Sequence, residues 1–315
     1  MFVCRCSKMN RFNPSSRAIL LAVLTCVSIT LLLFTFRVNT VRRWCSTLNW
    51  IKTIGDSSRR HYNTSDEMHN GTGDQFSPDH QQTVDYIRRH ISHPSLTRPR
   101  QLVQSDRKDA SQHGQSAFVD KLLSRRRDGF FVECGAGDGE FNSNSLFFEL
   151  QRNWTGLLIE VSADDHRALL NKNRRASVLR ACLSPERRPG KYQLRRGPFT
   201  GVVDTKHQVH LPFIGNNSAH DVEVDCFPLN SVMAAVDVSH IDYFSLDVEG
   251  LELLVLGTVD WTRLRIDVLT VEYRVVDRRQ QIDIPATLKK LNDLRRFFRD
   301  TGIYHEVGIL PIGDE

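Results

Sequence analysis

A glycine-rich turn set directly after a short apolar run constrains this chain more than any other feature. Residues 130–134 read FFVEC, and Gly135, Ala136, Gly137, Asp138 and Gly139 follow without a break. Such a run suits a buried parallel strand, and glycines at its carboxyl end let backbone approach a ligand closely. In an open α/β sheet ligands bind at that position, beside the free N–H groups of the next helix. The spacing is G-x-G-x-G, and Glu140 stands where a dinucleotide motif has its third glycine. A nucleoside with a compact charged tail therefore fits better than NAD, and a tight turn with no ligand is the plainer alternative.

The strand–helix alternation continues downstream. Gly156–Glu160 reads as a second strand, and Glu160 closes it 25 residues after Gly135, where an acid can accept both hydroxyls of a ribose. Ser162 and Asp165 form a capping box for a helix reaching about Asn173, and Ser177–Cys182 is a third strand. Helices are expected over 143–150, from Pro228, over Leu251–Leu256 stopping at Gly257, and over Pro285–Arg299 closed by Gly302. Ile241–Leu246 and Ile266–Tyr273 are two more strands, and Val222–Phe227 alternates like an exposed one. Between Lys191 and Asp225 short antiparallel strands and a lid are expected. Thr83–Ile91 and Ala117–Leu123 are short helices packed on the domain's edge. The pattern implies an α/β domain of the Rossmann-like, doubly wound, mostly parallel type.

Three acids, Asp247, Glu249 and Glu252, follow the strand at 241–246 and flank Gly250. So placed they repel one another unless a cation or hydrogen-bond donors sit among them. Contact with an amino group, a divalent metal, a general base and plain helix capping all remain open. Glu272, beside Arg274, is a weaker candidate of the same sort. His207, His210 and His220 lie in the irregular segment and read as a solvated loop, so no metal site is assigned.

Ala18–Phe36 is 19 residues without a charge, long enough as a helix to span about 28 Å, close to the hydrocarbon thickness of a bilayer. It is longer than a signal-peptide core and reads as a signal anchor. Residues 1–17 are then a cytosolic tail, 37–78 a polar stalk and 79–315 the globular domain. The net charge of +5 hides a division: residues 1–60 hold ten Lys or Arg and one acid, the rest 32 and 36. The basic excess flanks the apolar run and suits lipid headgroups, whereas the slightly acidic domain argues against a nucleic-acid partner. Charge alone barely orients the segment. Sequons at Asn63, Asn70, Asn153 and Asn216 all follow it, which favours a lumenal domain and a single-pass type II topology. Of seven cysteines, Cys4 and Cys6 would be cytosolic, free or acylated, and Cys134 a reduced core residue. Cys182 and Cys226 are a possible bridge in an oxidising lumen.

Taken together, FVECGAGDGEFNSNS, GLLIEV, NKNRRA, DYFSLDVEGLELLVL and LTVEY resemble the FkbM-type methyltransferase domain. Within it the chain looks most like the invertebrate Star group of type II membrane proteins. The resemblance covers about Asp79–Gly308 and implies S-adenosylmethionine as cofactor. It implies contacts to that cofactor from Glu133, the loop residues Gly135 to Gly139, Glu160 and Asp247, with Asp247 and Glu249 facing the reacting end. Methyl transfer to hydroxyls, often of sugars, is one implied function. The other is non-catalytic movement of growth-factor precursors from the endoplasmic reticulum toward Golgi and endosomes. Val161 departs from the proline common in the family, and Glu315 falls short of where its last strand is expected.

Overall fold

Apolar runs that read as strands do assemble into one sheet, buried on both faces. The computed structural model describes residues 1–7, 78–195, 201–203, 222–277 and 281–310. Its elements in chain order are β1 (Phe2–Cys6), α1 (Pro78–His90), β2 (Ile91–Ser92), α2 (Gln115–Leu122), β3 (Phe130–Cys134), α3 (Leu146–Arg152), β4 (Thr155–Ile159), α4 (Ala163–Lys172) and β5 (Ser177–Leu179). There follow β6 (Cys182–Leu183), β7 (Gly190–Arg195), β8 (Gly201–Val203), β9 (Val222–Phe227), α5 (Leu229–Ala235), β10 (His240–Leu246), α6 (Glu252–Thr258), β11 (Arg265–Val271), α7 (Ile284–Thr301) and β12 (Tyr304–Ile309).

The large sheet has the order β12-β1-β11-β10-β3-β4-β5-β2. Its five central strands, β11 to β5, pair in parallel, as their near-continuous apolar sequences require. Alternate residues feed two cores. Val132, Leu157, Phe244 and Leu269 pack on the side of α7 with Leu291, Leu294 and Phe298. Phe131, Leu158, Tyr243 and Val268 pack on the other side with Val119, Phe148, Trp154 and Leu169. Each such side chain contributes about 1.5–3 kcal/mol by leaving water. The chain winds outward from β3 through β4 and β5 in one direction and reaches β10 and β11 in the other. The direction of winding reverses between β3 and β10, and a crevice opens at the carboxyl ends of strands at such a point.

Local signals set the helix ends. Ser162 Oγ accepts from the Asp165 N–H at 3.4 Å, so the serine caps α4, but its own N–H donates to Glu160 Oε1 and not back to Asp165, and only half of the capping box forms. Asp283 caps α7 through the Ala286 N–H at 3.0 Å, Pro285 sits in its first turn, and Gly302 closes it with φ +64°. The helix expected to stop at Gly257 runs one residue further, because that glycine does not take the left-handed conformation that closes a helix.

Three corrections follow. The strand expected over Ser177–Cys182 divides: β5 stays in the large sheet, while β6 joins β9, β7 and β8 in a small one. A strand not foreseen, β12, follows α7. The largest change concerns residues 2–6, expected in a tail outside the domain. They form β1, antiparallel to both β11 and β12, with Phe2, Val3 and Cys4 wholly buried. Cys4 and Cys6 are thus buried thiols, closed to acylation while the strand is seated. The apolar run at residues 18–36 lies outside the described residues, as do His207, His210, His220 and most of the segment expected to form a lid. Among the described residues no helix is long and apolar enough to cross a membrane.

Cys182 and Cys226 face each other across β6 and β9 and are joined by a disulfide. It closes a loop with a sequence separation of 44, so Cys226→Ser in oxidised protein should cost about 2–4 kcal/mol. Urea denaturation with and without reductant checks this: the midpoint should fall on reduction in the wild type and stay put in the variant.

Candidate functional site

At the end of β3 the backbone turns so sharply that side chains are excluded. Gly135 has φ +81°, and a Cβ there would collide with the Asp247 carbonyl oxygen of the neighbouring strand end. The Gly135 N–H donates to Ile159 O at 3.0 Å, and the Asp247 N–H to Cys134 O at 3.1 Å. Ends of β3, β4 and β10 are thereby sewn together at the switch point. Gly137 differs. It has φ +54°, yet the direction its Cβ would take is open space.

Glu160, one residue past β4, reaches across to this loop. Its Oε2 accepts from the Gly137 N–H at 2.8 Å and its Oε1 from the Ser162 N–H at 2.7 Å. Burial, opposed by these amides, raises the Glu160 carboxyl above the ordinary range. A cavity of about 310 Å³ begins at Val161 and is walled by His166, Leu179, Arg180, Ala181 and Phe227, with Tyr86 and His90 of α1. Glu160 is thus bonded to the glycine loop, Gly137 has an open direction, and Val161, the residue after the acid, lines the cavity, whose wall also carries Glu223 and Asp225. The residues fit an adenosine-bearing group.

The other loop residues hold rather than line. The Glu133 carboxylate is 2% exposed and accepts from Ser143 Oγ, the Asn144 N–H and Ser145 Oγ. It shapes the return into α3, so the geometry gives it a positioning role. Asp138 Oδ1 accepts from the Glu140 and Phe141 N–H groups at 2.9 and 2.8 Å, closing the turn after Gly137. Ala136 is buried beneath the loop. The Gly139 carbonyl accepts from Arg174, whose buried guanidinium also meets Glu149 at 2.7 Å. Burial penalises Glu149, but Arg174 and neighbouring donors outweigh it and hold its carboxyl below the usual range. Glu140 ties the loop to residues 103–104 and to Lys172 at 2.5 Å. None of Arg174, Lys172 or Glu149 was singled out from sequence as part of the site, because charged residues near helix ends read as solvated.

A second group of side chains lies where β10 and β11 end. Asp247, Glu249 and Glu272 each place a carboxylate oxygen within 4.8 Å of the others. Glu249 sits at φ +55°, a left-handed conformation that costs a residue with a Cβ about 1 kcal/mol or more. Glu252 holds the loop in that shape: its Oε1 accepts from the Val248 and Gly250 N–H groups at 3.1 and 3.2 Å. Its Oε2 meets Lys290 Nζ of α7 at 2.8 Å. Burial would lower the Lys290 ammonium, but Glu252 and Glu272 push it up to about 12. Burial and then Glu272 raise Glu249 to about 8, and burial with Glu272 and Glu249 lifts Asp247 well above its ordinary value. Lys290 was missed in the sequence. The available signal was a lysine beside the apolar stripe of Leu291, Leu294 and Phe298.

The profile of the methyltransferase FkbM domain matches residues 133–302, more than half of the 315-residue chain. The chain belongs to that family. No curated protein and no solved structure matches it. The FkbM match begins at Glu133 and ends at Gly302. It therefore takes in the glycine loop, Glu160, the acid group and Lys290, and leaves α1, α2, β1 and β12 outside. Family membership supports a methyltransferase-like function; the likeness to the Star group has no counterpart among these matches.

Proposed function

We propose that this FkbM domain binds S-adenosylmethionine and transfers its methyl group to a hydroxyl, with glycans as the acceptor class. The observation that carries the reading is the bond between Glu160 Oε2 and the Gly137 N–H. It joins acid and loop at the switch point, as a ribose held between them requires. When bound, the cofactor supplies a methyl group already activated on a sulfonium. The chain's part is then position and proton transfer. Gly135, Gly137 and Glu160 seat the nucleoside, Asp138 keeps the turn closed, and Asp247 faces the amino end. Asp247 and Glu249 orient the acceptor hydroxyl and take its proton. Labelled cofactor offered with glycan acceptors tests this: methyl incorporation is expected in wild type, and none in wild type that still binds cofactor would remove the enzyme reading.

For location we propose membranes of the secretory pathway, in the endoplasmic reticulum, Golgi and endosomal system, through residues 18–36. The Cys182–Cys226 disulfide supports an oxidising lumen, and Asn153 of the third sequon is exposed. The type II arrangement places residues 1–17 in the cytosol, which the seated β1 opposes. An epitope fused at residue 1 decides between them. Protection from added protease in sealed microsomes is expected with β1 in place; cleavage would restore the single-pass anchor and unseat the strand.

A second reading rests on Glu160 itself, both of whose oxygens already accept protein amides. A domain that binds no cofactor, and instead docks membrane growth-factor precursors during trafficking, would use the acid in this way alone. Cofactor binding separates the two.

A further inference from the structure

The three converging carboxylates have more charge than their neighbours offset. Asp247 and Glu249 come from the turn after β10, and Glu272 from the residue after β11. With Glu252 they make four acids. The facing cations are Lys290, 2.8 Å from Glu252 and 3.8 Å from Glu272, and Arg274, 3.8 Å from Glu272. The α-amino group of Met1 feels the charges of Glu272 and Asp247, but its hydrogen bond goes to the Leu310 carbonyl at 3.5 Å. The close lysine contact therefore serves Glu252, the acid that shapes the loop, and leaves Glu272 only the longer contacts to Lys290 and Arg274. A second observation points to a ligand. The Glu272 side chain is nine-tenths buried, and its Oε2 has no hydrogen-bond partner, its cation contact being Lys290 Nζ at 3.8 Å. A buried carboxylate oxygen without a donor is costly. Asp247 and Glu249 are half-buried, so the group is open on one side.

We propose that Asp247, Glu249 and Glu272 hold a hard divalent cation of the magnesium, manganese or calcium class. Three carboxylate oxygens within 4.8 Å of one another match the all-oxygen coordination such ions take, with the remaining positions open to water or to another ligand. That ligand is the acceptor, so the substrate class narrows to molecules offering two neighbouring oxygens, such as a vicinal diol. The acceptor half of this proposal rests on the methyltransferase reading; the cation half does not. Loaded in this way, the three carboxylates orient the acceptor through the ion instead of directly.

The test uses the full-length protein after chelation, with no cofactor present. Titration with manganese(II), followed by electron paramagnetic resonance of the free ion, should show one saturable site that magnesium or calcium displaces. Glu249→Gln and Glu272→Gln should each weaken it by at least about tenfold. Should Glu272→Gln fail to fold, Glu249→Gln carries the comparison, because that side chain is partly exposed. Folded wild type with no saturable manganese site, or a site that Glu249→Gln leaves unchanged, overturns the proposal. Neither result touches cofactor binding, which is measured separately.

Discussion

Glu160→Gln is expected to raise the dissociation constant for S-adenosylmethionine by about 100-fold or more. Two effects combine. The carboxylate offers negative oxygens to a ribose diol, and hydrogen bonds to a charged acceptor contribute about 1.5–3 kcal/mol each. Two of them amount to roughly 100-fold or more in affinity. The carboxylate also has structural work, since Gly137 and Ser162 each donate to one of its oxygens. A glutamine has only one oxygen, so its NH₂ must face one of those N–H groups. That leaves a buried donor unpaired, at about 1–3 kcal/mol. The variant should therefore melt lower, by about 2–4 °C for each kcal/mol at this chain length, and still fold. Calorimetric titration alongside a melting curve reads both. Unchanged affinity in a folded Glu160→Gln protein would place the ribose elsewhere.

Gly135→Ala should be the more damaging change to stability, and Gly137→Ala the cleaner change to binding. A methyl at Gly135 meets the Asp247 carbonyl oxygen, which two strand ends hold in place, and φ is +81° there. The left-handed strain and the overpacking together cost about 2–4 kcal/mol. A methyl at Gly137 meets nothing in the protein, so only the strain of φ +54° is added, about 1 kcal/mol. That methyl does occupy the open direction above the loop. Urea denaturation should rank Gly135→Ala well below Gly137→Ala, while both lose cofactor. If Gly137→Ala keeps full affinity, the open direction is not where the cofactor lies.

Much of this was legible beforehand, for physical reasons that can be named. β3, β4, β10 and β11 are buried on both faces, so apolar runs mark them without ambiguity, and the glycine loop can occur only at such a strand's end. The positions of Glu160 and Asp247 at strand ends were legible for the same reason, since each is the charge that closes an apolar run. The edges were not. β1 and β2 pair with strands far away in sequence, and no local pattern in MFVCRC or in Ile91–Ser92 reports a distant partner. β12 is only partly buried, so its YHEVGI lacks the apolar run that betrays an interior strand. The supporting charges were hidden by their own chemistry. Arg174 and Lys290 resemble solvated helix residues until Glu149 and Glu252 are seen to face them inside the protein. Glu133 has a role that sequence does not report, since three local donors bond to its buried carboxylate.

The account stands on a glycine loop and an acid that share one ligand. Equilibrium titration of the folded, full-length protein with S-adenosylmethionine tests that most directly. One molecule bound per chain, displaced by S-adenosylhomocysteine, is the predicted result. Folded wild-type protein that takes up neither compound would contradict it.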